Sequence, residues 1–154
     1  MKTVILFLSF LSMNSSTHDV SRIDVESLLC LSKAVYHEAR GEPAIGKAAV
    51  AHVVMNRVGH PWYRESICEV VYQGDGVHFT GIDKREDFSE TSWNESVEVA
   101  TLSYLGYIDD PTNGAIMYHN PYKVPEPRWD FTKLALVGKI HNHMFFKEKE
   151  RGEV

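Results

Sequence analysis

The chain has 154 residues, 44% hydrophobic and 24% charged, with a formal net charge of −5. That length and balance suit one domain with a real apolar core and exclude a disordered or low-complexity chain. The acidic excess, with no run of lysine or arginine, excludes a nucleic-acid partner held by charge.

Met1-Lys2 precedes the apolar run TVILFLSFLSM, residues 3–13, and then the polar stretch NSSTHD. One cation, an apolar run too short to span a bilayer comfortably, and small polar residues outline a secretory signal. The run follows neither the helical nor the strand period, which separates it from a buried amphipathic element. Its single lysine and its lack of a small-x-small cleavage site leave an uncleaved membrane tether as a second form of the same expectation. Residues 1–18 are therefore expected to be a signal or tethering segment, with transient membrane contact, on a chain exported to the periplasm or wall. Residues 22–147 form the folded domain and 148–154 a polar tail. Cys30 and Cys68 match no zinc spacing. In an exported chain they pair and close a loop, worth roughly 3–4 kcal/mol; in a reducing compartment they are two buried thiols.

Residues 27–40 read as a helix. Leu28, Leu31 and Val35 repeat at helical spacing, and Glu38 extends that apolar stripe near the helix end. Gly41 is a natural terminator and Pro43 suits the first turn of the next helix. That helix, residues 43–58, is apolar nearly all round through Ile45, Ala48, Ala49, Val50, Ala51, Val53, Val54 and Met55. Its alanines admit close neighbours, so it is expected at the centre of the core. His52, Asn56 and Arg57 are its polar exceptions.

Residues 66–73, SICEVVYQ, read as a short helical turn leading into the loop GDGVHFTGID. Residues 90–107 form an amphipathic helix through Trp93, Val97, Ala100, Leu102 and Leu105. DDPTNGA, residues 109–115, is a turn, and AIMYHN, residues 115–120, has strand character. PYKVPEPRW is an extended loop, and KLALVGKIHNHMFF carries mixed helix and strand signals. The fold class is α+β, mainly helical, with a small strand component.

Glu38 is the residue whose position invites chemistry. A carboxyl that ends an apolar stripe is poorly solvated, so its pKa rises towards neutrality, as a general acid requires. A buried ion pair with Arg40, Arg57 or Lys33 explains the same placement equally well from spacing alone. Glu42 sits near a helix N-terminus, which stabilises the anion, and reads as a cap or a partner of Arg40.

YHEARGEPAIGKAAVAHVVMNRV, ICEVVYQ, HFTGID, NGAIMYHN and IHNHMFF, in that order, resemble the cell-wall hydrolase family of the spore-cortex-lytic enzymes, which phages also use as endolysins. The resemblance covers about Leu29 to Phe146. It implies a lysozyme-like single catalytic domain over residues 22–147 that cleaves peptidoglycan glycan strands between MurNAc and GlcNAc. The acid is the first glutamate of the E-A-R-G-E motif, Glu38. Substrate contact is expected from Glu42, Asn56, His78, Phe79, Thr80, Asp83, Tyr118, His119 and Asn120. His78-Phe79-Thr80 departs from the family's Gln-Phe-Ser, which passes the polar role to an imidazole and a hydroxyl. A phage setting implies the alternative location, cytoplasmic accumulation with release at lysis.

Tyr36, Tyr72, Phe79, Tyr118, His119, Asn120 and Trp129 are candidates to line a glycan groove. Core packing is the simpler role for Tyr72 and Trp129, and the triplet Tyr118-His119-Asn120 is the better groove candidate. Eight histidines invite a metal reading. The zinc-protease pattern, however, needs a second histidine where Gly41 stands, and His141-x-His143 has no carboxylate cluster nearby in sequence. No metal or cofactor is expected. No G-x-S-x-G elbow is present, and neither cysteine has an electropositive helix-start setting.

The reaction expected is that of a lytic transglycosylase, which needs neither a second carboxylate nor a water nucleophile. A hydrolytic muramidase wants a partner carboxylate about 5–10 Å away, with Asp83 the first candidate and Glu42 a poorer one. A non-catalytic wall-binding module and a zinc amidase are the rival classes. The chain is expected to act as a monomer.

Overall fold

The computed structural model describes residues 23–73 and 89–150. The readings made for residues 1–18 and for His78, Phe79, Thr80 and Asp83 lie outside the described residues, as does most of the polar tail.

Helix α1, Val25–Ala39, starts where the Asp24 carboxylate accepts the backbone N–H of Glu26, which satisfies a donor the helix itself cannot. Leu31 and Val35 are fully buried, so the apolar stripe is the face turned to the core. Arg40 closes the helix in right-handed geometry, and Gly41 takes no left-handed φ. The helix therefore stops without using glycine's conformational freedom.

Helix α2, Ala44–Arg57, occupies the centre. Ala49, Val50, Ala51, Val53 and Val54 are wholly buried, whereas Ile45 is half-exposed. Pro43 takes the N-cap position and no side chain caps the helix, so the expected capping role of Glu42 is not realised. Helix α3, Ile67–Val71, and helix α4, Glu90–Tyr104, begin at Ser66 and Ser89, whose side chains accept from Glu69 and Ser92. Helices α1, α2 and α4 pack on one another, with α3 against α1 and α2. A Cys30–Cys68 disulfide joins α1 to α3 across a Cα separation of 5.3 Å, within the ordinary range for such bridges.

The closing segment, with its mixed signals, is a β-hairpin. Strands β1 (Met117–His119), β2 (Leu134–Ile140) and β3 (His143–Glu148) form an antiparallel sheet in the order β1-β3-β2. Ile140 pairs with His143, which leaves a two-residue loop of His141 and Asn142, with His141 at φ 48°. A bulge between Leu136 and Gly138 adds one residue to β2. Phe145 lies under the sheet against Ala49, Val53 and Ala115, and Tyr118 touches both this cluster and the larger one between the helices. The sheet thus rests on the central helix, with Tyr118 at the seam.

The turn before β1 is tied to α2. Asp110 accepts from the Thr112 backbone and hydroxyl at 2.8 and 2.6 Å and from the Gly114 backbone at 2.8 Å. Asn56 donates to Asp110 at 2.9 Å and to the Ala115 carbonyl at 3.0 Å. This network sets where the sheet meets the helical core.

Candidate active site

Glu38 reaches the junction of α1 with the sheet. It is partly buried, and the Tyr118 hydroxyl donates to its Oε2 at 3.3 Å. Burial raises its pKa to about 7; the Tyr118 hydrogen bond and the charges of Arg57 and Lys123 pull the other way and are outweighed. Among the described residues no cation forms a salt bridge with it. The ion pairs with Arg40, Arg57 or Lys33 weighed from spacing are therefore not formed. Arg57 instead donates its Nε to the Ile116 carbonyl at 2.6 Å and lies over the Tyr63 ring. A carboxyl that holds its proton near neutral pH, beside a neutral hydroxyl donor, can deliver that proton to a bound oxygen and take one back.

Glu42, only four residues on, has a different environment. It is 8% exposed, and its carboxylate meets His141 Nδ1 at 2.5 Å and Asn142 Nδ2 at 3.1 Å. His143 Nδ1 lies 3.7 Å from the other oxygen. Burial works to raise this carboxyl, but the hydrogen bonds from Asn142 and His141 and the charges of both histidines hold it below the ordinary value. Burial lowers the His143 imidazole more than Glu42 raises it. Glu42 is an anion clamped to the hairpin loop, with both carboxylate oxygens engaged there. Space for it comes from Gly46, where a Cβ would sit 2.8 Å from the Glu42 Cβ.

Within the triplet Tyr118-His119-Asn120, Tyr118 and His119 are successive residues of β1 and face opposite ways, and Asn120 lies past the strand end. Tyr118 turns to the helices and Glu38. His119 turns to the other face, where its ring packs on Phe146 and Trp129 and its Nδ1 is 2.7 Å from the Val124 carbonyl. Asn120 holds the following turn by accepting the Tyr122 backbone N–H at 2.9 Å. Both amide hydrogens of Asn56 are spent on the turn before β1. Of the expected contact residues within the described chain, only Tyr118 is hydrogen-bonded to Glu38. Among the groove candidates, Tyr36 is buried and accepts the Ser89 N–H at 2.9 Å, and Tyr72 is exposed.

Sequence reasoning missed the clamp on Glu42. His141 and His143 have no carboxylate cluster nearby in sequence, and the carboxylate they meet is about a hundred positions away along the chain. The alternation H-N-H beside a glycine-containing segment signals a hairpin loop, but nothing local names its partner. Among the described residues no three His, Cys, Asp or Glu side chains gather as a metal-ion site.

Residues 41–146 match the model of a family described as Cell Wall Hydrolase. The chain is similar to the spore cortex-lytic enzyme of Bacillus subtilis (strain 168), 32% identical over 117 residues, which are 75% of this chain and 35% of that protein. It is similar also to the spore cortex-lytic enzyme of Bacillus cereus (strain ATCC 14579), 30% identical over 135 residues, 87% of this chain and 49% of that one. The chain thus spans between about a third and a half of the length of these curated relatives. Among solved structures, the catalytic domain of the germination-specific lytic transglycosylase SleB from Bacillus anthracis superposes with a TM-score of 0.66 at 27% identity, over 82% of this chain and 98% of that one. The catalytic domain of the Bacillus cereus SleB protein gives 0.61 at 26% identity, over 87% and 99%.

Proposed function

Since this chain belongs to the Cell Wall Hydrolase family, we propose that it cleaves peptidoglycan glycan strands between MurNAc and GlcNAc as a lytic transglycosylase, with Glu38 as acid and then base. The family match begins at Gly41, so the assignment of Glu38 rests on its own surroundings. The observation that carries it is a partly buried carboxyl with a pKa of about 7 that accepts the Tyr118 hydroxyl.

Protonated Glu38 gives its proton to the glycosidic oxygen as the bond from that oxygen to C1 of the muramyl residue breaks. The resulting carboxylate takes the proton of the muramyl 6-hydroxyl, whose oxygen closes on C1 to give a 1,6-anhydro ring. Glu38 ends as it began, and no water is consumed. The Tyr118 hydrogen bond favours the carboxylate stage of this cycle and burial favours the acid stage, which keeps both within reach at neutral pH. Glu42 and Asp110 are already committed to hydrogen bonds within the fold, which favours a route needing only one carboxylate.

The site of action follows from the substrate: the wall, reached by a monomer exported or tethered through residues 1–18. The test is the mass of fragments released from purified sacculi. Anhydro-muramyl ends are expected. Reducing muramic ends mean a hydrolase using a second carboxylate, with Asp83 first in line. Binding to sacculi without release means a wall-binding module, and release lost to a chelator and restored by zinc means an amidase.

A further inference from the structure

The sheet has a second working face. Met117 and Tyr118 are successive residues of β1 and point to opposite sides. Tyr118 meets Glu38, while Met117 lines a cavity of about 360 Å³ with Trp62, Tyr63, Arg128, Trp129 and Lys133. The walls are braced. Trp129 sets its edge against the His119 and Phe146 rings at 5.4 and 5.7 Å. Tyr63 donates to the Ile116 carbonyl at 3.3 Å beneath the Arg57 guanidinium. Trp62 remains 38% exposed.

In a chain of net charge −5 the lining of this cavity carries two cations, Arg128 and Lys133, and one carboxylate, Asp130. Lys133 is matched by Asp130 at 3.6 Å, whereas Arg128 is exposed and, among the described residues, belongs to no salt bridge. None of these side chains has a part in the proton transfers assigned to Glu38.

We infer that this cavity receives the acidic stem peptide of peptidoglycan, with a peptide carboxylate on Arg128 and apolar peptide side chains against Trp62 and Trp129. The inference rests on the reading above that peptidoglycan is the substrate. In that polymer the lactyl group of MurNAc is amide-linked to the peptide, so the glycan backbone carries no charge and the carboxylates belong to the stems. A neutral sugar ring offers a guanidinium only uncharged acceptors, its hydroxyls and N-acetyl carbonyl. A carboxylate offers it bidentate, charge-assisted hydrogen bonds. Aromatic faces then cover alkyl groups at little entropic cost.

The test uses the full chain carrying Glu38→Gln, so that ligand persists, and calorimetric binding of two soluble glycan fragments of equal length. One bears its stem peptides; the other has been stripped by an amidase. Stripping is expected to weaken binding about tenfold, the scale of one charge-assisted hydrogen bond. Adding Arg128→Ala should abolish most of that difference, and Arg128→Lys should restore part of it. Equal affinity for the two fragments, or a difference that survives Arg128→Ala, overturns the inference and leaves the proposed function standing. Failure of both fragments to bind overturns the proposed function and the inference with it.

Discussion

Tyr118 and Glu38 stand 80 positions apart in the chain and share one hydrogen bond, from the phenol to Oε2 at 3.3 Å. The bond favours the ionised carboxyl against a burial that disfavours it. Tyr118→Phe removes the donor and leaves the ring packing on Phe145 and His143 in place. The Glu38 pKa should then rise, by about half a unit to one unit. In a pH–rate profile of kcat/KM for wall clearing, the alkaline limb, expected near the Glu38 pKa of about 7, should move to higher pH. An unmoved limb would separate Tyr118 from the acid.

Glu38→Gln keeps the shape and removes the proton. Clearing of sacculi should fall at least about a hundredfold. Stability should change in a pH-dependent direction. The folded-state pKa of about 7 lies above the model value of 4.5, so Glu38 contributes most favourably below 4.5 and progressively less as pH rises through 7. The variant should match the native chain within about 1–2 kcal/mol at low pH and gain on it at pH 8. Melting curves at the two pH values check the sign, and near-native clearing would refute the catalytic assignment.

Glu42 carries the opposite sign. Its pKa is lowered in the fold, so its contribution is present above 4.5 and is lost as pH falls through the lowered folded value. Glu42→Gln should retain more activity than Glu38→Gln and cost about 1.5–3 kcal/mol at neutral pH, the range for hydrogen bonds to a charged group. Urea unfolding should show the gap to the native chain closing in acid. A gap that widens in acid would contradict the clamp.

Gly46→Ala ought to help an ordinary helix by roughly 0.5–1 kcal/mol. Here the added methyl lands 2.8 Å from the Glu42 Cβ, and neither backbone can yield cheaply. The variant should lose about 1–3 kcal/mol, the usual cost of overpacking. A raised Tm would show that the α1–α2 junction has slack.

The export reading and the Cys30–Cys68 bridge share one measurement. Mature protein from its native host should lack the first dozen or more residues, or be recovered with membrane. Its intact mass should admit two alkyl groups only after reduction. Reduction should also lower stability by roughly 3–4 kcal/mol. A full-length soluble chain with two free thiols would point to cytoplasmic accumulation.

What could be read ahead of the structure was whatever the chain repeats locally. The Leu31–Val35–Glu38 stripe follows from a period of 3.6, and it located both α1 and the partly buried carboxyl at its end. The buried alanines of α2 were legible for the same reason. Long-range pairing was not. The hairpin of residues 134–148 reads ambiguously because Leu-Ala-Leu-Val suits either state until β3 lies beside it. The Tyr118-His119-Asn120 triplet looked like one site because sequence adjacency hides strand alternation. Glu42 reads as a helix cap because its histidine and asparagine partners lie about a hundred positions away along the chain. The cavity at Trp62 and Trp129 joins segments that no local pattern connects.

The strand order has a consequence for when the candidate site is completed. β3 is last of the three in the chain yet sits between the other two, so β1 has no partner until residues 143–148 have been made. Every helix can form before then, but Tyr118 is held against Glu38 only once β3 arrives with Phe145 and the clamp on Glu42 closes. A ribosome-bound chain therefore carries a finished scaffold and an unfinished site. The slow, non-local pairing comes at the end, so the Glu38–Tyr118 contact is completed after the helices that frame it.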